Sequence, residues 1–182
     1  MRFLIRWAIP SIVLAAILHL AAMRFSPELI SSIAARSIQK GANVSWNEFI
    51  HGSLLDADTF SGGGSPDIIY SMAFYDLTKG PVRLHCVVPA TGNYWSVSLY
   101  GWHTENFFVE NDSTIPAREF DLVIIKKGTS YQPRTNERLV ISPTKKGTAI
   151  LRAIISARDN KEQLALIAAA QRKSTIKLLI PQ

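Results

Sequence analysis

From Asp67 to Ser156 the sequence breaks into short runs in which apolar and polar residues alternate, separated by turn-forming residues. Val82-Arg83-Leu84-His85-Cys86-Val87-Val88 puts Val82, Leu84, Cys86 and Val88 on one side of an extended chain. The segment 94–102 repeats the pattern, with Trp95, Val97 and Leu99 opposite Tyr94, Ser96, Ser98 and Tyr100. A period of two belongs to strands with one face buried, because successive side chains of a pleated strand point to opposite faces. Similar runs fall at 67–77, 107–110, 120–125, 139–142 and 148–156, and Thr78-Lys79-Gly80-Pro81 and Pro89-Ala90-Thr91-Gly92-Asn93 supply turns. Connections this short hold no crossover helices, so the strands pair antiparallel. The expected fold is mainly β (α+β): an antiparallel β-sandwich or partial barrel, with an N-terminal transmembrane helix and flanking helices.

The N-terminus obeys another rule. Phe3 to Met23 is almost wholly apolar; as a helix rising about 1.5 Å per residue it spans roughly 31 Å, matching a hydrocarbon core of about 30 Å. Arg6 lies near enough to the end to snorkel, and Trp7 suits an interface. His19, the one polar residue inside the run, has no partner within a single span. A cleaved signal peptide is the competing reading, but Leu20-Ala21-Ala22 is a poor cleavage site, which favours a retained signal anchor. A buried soluble helix fits less well, since 12–18 is apolar all round. The head ahead of the span is very short, which predicts a single-pass protein of the bacterial inner membrane with a periplasmic body. Arg24, Arg36 and Lys40 beyond the span keep a cytoplasmic body as the alternative.

Between anchor and strands, Ser26-Pro27-Glu28 reads as a helix start, with Leu29, Ile30, Ile33, Ala34 and Ile38 at helical spacing and Gly41 as the stop. Trp46, Phe49 and Ile50 suggest a short helical turn, and Ser61-Gly62-Gly63-Gly64-Ser65 a mobile loop. At the other end Asp159-Asn160-Lys161-Glu162 opens a helix carrying Leu164, Ile167 and Ala168, and 174–180 reads as a last strand. The expected division is therefore 1–24 anchor, 25–64 helical spacer and glycine-rich loop, and 65–182 β-rich domain.

Charge narrows the functional classes. The formal net charge is +6, and Arg2, Arg6 and Arg24 around the span supply half of it. No basic stripe interleaved with aromatics remains, so nucleic acid is not an expected partner. Cys86 is the lone cysteine, which excludes an internal disulfide. His51, His85, His103 and Asp67 show no paired ligand spacing, so no metal is expected, and no cofactor motif is present. Cys86 lies on the Leu84–Val88 face, where a thiol is a small hydrophobe and not a nucleophile.

Four ordered segments carry a resemblance: Ser65-Pro66-Asp67-Ile68-Ile69-Tyr70-Ser71; Asp76-Leu77-Thr78-Lys79-Gly80-Pro81-Val82; Gly92-Asn93-Tyr94-Trp95-Ser96-Val97; and Thr104-Glu105-Asn106-Phe107. With their spacing, residues from about Trp46 to Lys177 resemble the bacterial domain of unknown function 1254 family. The resemblance is to its short, membrane-anchored form, which lacks the second (1214) domain carried by longer relatives. It implies a companion protein bearing that second domain. It implies no activity. Ser65, Ile68 and Asn93 stand where the family usually has Asn, Thr and Arg.

Asp67, Tyr70, Asp76, Tyr94, Tyr100, His103 and Asn106, with Thr104, are the candidate ligand-binding residues, expected to gather on one rim. Aromatic faces, hydroxyls and a carboxylate are what a polar small molecule needs for stacking and directional hydrogen bonds. Against this stands the plainer reading, in which the two aspartates cap turns and the tyrosines pack at sheet edges. The functional expectation is a membrane-anchored extracytoplasmic binding module working with a companion-domain protein. The alternative is an enzyme of hydrolase-like class using the Asp67/Tyr70/Tyr94 rim.

Overall fold

The computed structural model describes residues 2–52, 65, 67–115 and 117–179. The glycine run Gly62-Gly63-Gly64 and the end of the last expected strand at Ile180 lie outside the described residues.

Among the described residues nine strands form two sheets: β1 (Phe49–His51), β2 (Ile68–Asp76), β3 (Val82–Val87), β4 (Trp95–Gly101), β5 (Asn106–Asn111), β6 (Glu119–Lys126), β7 (Glu137–Ser142), β8 (Lys146–Ile154) and β9 (Thr175–Leu178). One sheet has the order β1-β2-β8-β4-β5, and the other β7-β6-β3-β9. They pack face to face as a sandwich, not a closed barrel. Every pairing is antiparallel except β6 with β7, which run parallel. The chain from 127 to 136 makes that return, and Tyr131 within it donates to Glu137 at 2.8 Å.

Alternation built the core as expected. Val82, Leu84 and Cys86 of β3, Trp95, Val97 and Leu99 of β4, and Leu122 and Ile124 of β6 meet between the sheets with almost no exposure. Ala149, Leu151 and Ala153 of β8 join them. Each well-packed leucine there is worth about 2–5 kcal/mol against truncation to alanine. β1 was not foreseen. Its three residues form an edge strand against Ser71, Met72 and Ala73, replacing the expected helical turn.

Two helices flank the sandwich: α1 (Arg2–Ala42) and α2 (Lys161–Lys173). The expected helix start at Ser26 does not exist, because α1 passes unbroken through Pro27. Proline removes one backbone donor, and here the carbonyl left without it belongs to Met23, where the apolar run ends and water can reach. Only part of the apolar spacing of α1 meets the sandwich. Ala35 is fully buried and Ile38 packs beside it on Met72, Phe74 and Trp102, whereas Leu29, Ile30 and Ile33 point away from the sandwich and stay exposed. The apolar spacing was real, but it marked two helix faces. α2 is capped by Asn160, whose side chain accepts from the Gln163 backbone N–H at 3.0 Å. It buries Ile167 and Ala170, then turns at Ser174 into β9 on the edge of the second sheet.

Candidate functional site

The outer face of the first sheet is divided. Toward one end of the strands Met72, Phe74, Ile150 and Trp102 are covered by α1 and Trp46. Toward the other the same face turns polar. Tyr70 stands opposite Arg152, and Arg152 opposite Ser96, so the three form one row across β2, β8 and β4. Ser98 and Tyr100 follow on the same side of β4.

Arg152 organises this area. Its Nη1 donates to Ser98 Oγ at 2.8 Å and its Nη2 to the Tyr100 hydroxyl at 3.0 Å. Among the described residues no carboxylate pairs with it. A half-buried guanidinium without a counter-ion is costly unless its donors are used, and two neutral oxygens leave part of the fork over. Ser96 adds a buried hydroxyl with no hydrogen-bond partner among the described residues. The Tyr100 phenol feels the cation. Desolvation pushes its pKa up, but the Arg152 hydrogen bond and charge, helped by Asn106 and Ser98, hold it below its ordinary value. Tyr70 accepts from the Ser65 backbone N–H at 3.4 Å and flanks the guanidinium on the β2 side. The arrangement is a preorganised cation among hydroxyls, suited to an anionic or carbonyl oxygen.

The candidates from the sequence divide into three groups. Tyr70, Tyr100 and Asn106 belong to this area. Asp67 and Tyr94 lie at one end of it: their carbonyls accept from Ile155 and Ile154, each at 3.0 Å, and so bracket the close of β8. Asp76 and His103 lie at the opposite end. At about 3.3 Å per residue, Asp67 and Asp76 are roughly 30 Å apart along the strand, so the seven do not share one rim. Asp76 does turn work: its Oδ1 accepts from the Thr78 N–H at 2.8 Å, and its Oδ2 is 3.8 Å from Lys146 Nζ. His103 sits in the β4–β5 turn, 4.0 Å from Glu28 of α1, next to Thr104 at φ 71°. Arg152, Ser96 and Ser98 were missed, although a lone charge between Ile150 and Ile154 on the outer side of a strand was a signal.

Other polar groups pair elsewhere. His85 Nδ1 lies 2.7 Å from Asp121 Oδ1 on the outer face of the second sheet, beside Arg83, which pairs with Glu137. His51 Nδ1 contacts Ser71 Oγ at 3.0 Å, and Gln171 Nε2 reaches the same hydroxyl at 3.1 Å; burial lowers the His51 pKa. Ser71 is 2% exposed, which keeps its oxygen from any substrate in this conformation. Among the described residues no three His, Cys, Asp or Glu side chains converge as a metal ion requires.

The family model described as "Protein of unknown function (DUF1254)" matches residues 46–178. The chain belongs to the DUF1254 family. The match begins at Trp46 and ends at Leu178, so it takes in every strand and α2 and leaves α1 outside. No curated protein matches this DUF1254 chain significantly. Among solved structures it is similar to the VPA0106 protein from Vibrio parahaemolyticus, with TM-score 0.67 and 13% identity over 85% of this chain and 35% of that one. An uncharacterised protein from Burkholderia cenocepacia gives TM-score 0.49 and 13% identity over 76% of this chain and 36% of its own. The first likeness shows the fold alone. The DUF1254 chain spans about a third of the length of either solved protein.

Proposed function

We propose that this protein is a membrane-anchored, extracytoplasmic binding module. α1 supplies a single span of the inner membrane, retained as a signal anchor with the body in the periplasm. The support is its length and apolar run, long enough to cross a bilayer with none of the most apolar window buried in the sandwich. The ligand is a polar small molecule with an anionic or carbonyl oxygen, received at Arg152 between Ser96, Ser98, Tyr100 and Tyr70. The protein partner is a companion chain bearing the second, 1214-type domain; the same fold forming only about a third of the Vibrio protein supports a module made to work beside other domains.

The observation that carries the reading is the Arg152 guanidinium, fixed by two hydroxyl acceptors with no carboxylate among the described residues. The test is native mass spectrometry and thermal shift on the full chain in lipid nanodiscs, against a panel of carboxylates, phosphates and sugars. A ligand at a hundred times its Kd stabilises by about 2.7 kcal/mol. Arg152→Gln should abolish that shift, and Arg152→Lys should weaken it by losing the fork. A panel in which no shift depends on Arg152 overturns the site. Hydrolysis of any panel member that depends on Asp67 and Tyr70 would instead favour the enzymatic alternative at that end of the sheet.

A further inference from the structure

The two ends of the sandwich carry different charge. β2, β4, β6 and β7 all finish at one end, and β3, β5 and β8 all start there. This end holds Lys79 after β2, Lys126 at the close of β6 and Lys127 after it, and Lys145 and Lys146 before and at the start of β8. Lys146 is engaged: its ammonium lies 4.6 Å from the Trp46 ring centroid and 3.8 Å from Asp76. Lys79, Lys126, Lys127 and Lys145 are exposed and form no ion pair among the described residues. Three acids lie nearby, Glu28, Asp76 and Glu105, and Glu28 faces His103 at 4.0 Å. Asp76 is turned to Lys146, and the Glu105 carboxylate is folded against Gly101 with one oxygen buried. The opposite end, by contrast, mixes Asp67, Asp112 and Asp159 with Arg118, Arg158 and Lys161.

The lysine end is also the end from which the anchor leaves. Passing N-terminally along α1, Ala35 packs on Met72 and Phe74, whereas Glu28 reaches His103. Arg24 and Glu28 then line a cleft of about 350 Å3 together with His103, Lys145 and Lys146. The apolar run stops at Met23. No stalk therefore separates the span from these turns, and headgroup layers extend roughly 5–7 Å beyond the hydrocarbon on each side.

We propose that the lysine-bearing end of the sandwich is a docking surface for anionic phospholipid headgroups, seated on the leaflet from which α1 emerges. Each lysine held at an anionic surface contributes about a fivefold gain in association, so four together reach several hundredfold. The contact fixes the height and tilt of the sandwich, and with them the direction in which the Arg152 face looks. It rests on the anchor reading above but holds for either orientation in the membrane.

The test uses the full chain in vesicles of zwitterionic lipid alone or mixed with phosphatidylglycerol. An environment-sensitive fluorophore is placed at Thr129→Cys, and quenching by headgroup spin-labelled lipid is measured. Quenching should be strong with the anionic lipid, weak without it, and reduced to the zwitterionic level near 1 M salt, where the Debye length falls to about 3 Å. Replacing Lys79, Lys126, Lys127 and Lys145 by Gln should remove the lipid dependence without shifting the melting temperature. Quenching that is equal in both lipids, or unchanged by the four substitutions, overturns the docking surface. Flotation after alkaline extraction separates the two readings. A chain that floats but shows no charge-dependent quenching has an anchor and no lipid-docking end; a chain that is extracted from the vesicles lacks the anchor on which the docking rests.

Discussion

Tyr75 of β2 and Ser142 at the end of β7 join the two sheets through their hydroxyls, 3.0 Å apart in the buried interior. The phenol also lies 3.2 Å from the Tyr100 carbonyl, and Ser142 Oγ 2.8 Å from the Thr144 carbonyl, so two hydroxyl protons are shared among three contacts. Burial raises the Tyr75 pKa well above its ordinary value, so the group stays a neutral donor.

That bond needs Gly147 beneath it. A Cβ there would fall on the Tyr75 hydroxyl and the Tyr100 carbonyl. Gly147→Ala should cost about 1–3 kcal/mol as overpacking; Tyr75→Phe should cost about 1 kcal/mol as one lost buried hydrogen bond. Combining them should recover little, because the carbonyl clash remains. Chemical denaturation of the three variants checks the ranking.

Glu137 predicts a response to acid. Its side chain is 2% exposed. Desolvation pushes its pKa up, but the Arg134 N–H, the Tyr131 hydroxyl and the Arg83 guanidinium together hold it below the ordinary 4.5. A group whose folded pKa is depressed contributes stability above its unfolded pKa and loses it as pH falls through the folded one. The melting temperature should therefore drop as pH is lowered below about 4.5, and the slope should flatten in Glu137→Gln. At neutral pH that variant should lose about 1–3 kcal/mol, since Arg83 loses its nearer carboxylate and keeps only Asp121 at 4.0 Å. A pH series of thermal melts on both chains provides the measurement.

Cys86 makes the packing of β3 testable without a ligand. It is fully buried, and desolvation raises its thiol pKa well above the ordinary value. A thiol reagent should modify the native chain at least about a thousandfold more slowly than the denatured one, because reaction waits for global opening. Rapid native labelling would mean that β3 opens locally.

The strands were legible because burial on one face writes itself as alternation, and 82–88 and 94–102 needed no other information. β1 was not, since three residues carry no period and Phe49–His51 is a strand only because β2 offers an edge. The continuity of α1 was hidden for a related reason. Ser26-Pro27-Glu28 is a good start signal, but the first turn of a helix and its interior differ only in what precedes them, and here twenty-odd helical residues do. The Arg152 area, a candidate site, was half legible. Tyr70 and Tyr100 stood out as polar aromatics on strands, but their meeting at Arg152 depends on β8 inserting between β2 and β4. That strand order is long-range and leaves no local mark.

The unbroken passage of α1 through Pro27 has a mechanical consequence. A helix clamped to the first sheet by Ala35 and Ile38 has no swivel between its N-terminal half and the sandwich. Torque applied to the N-terminal half about the helix axis is delivered to the sheet. On the anchor reading proposed above, the Arg152 face would then turn about the membrane normal with it, and the direction in which it looks would be set from within the bilayer.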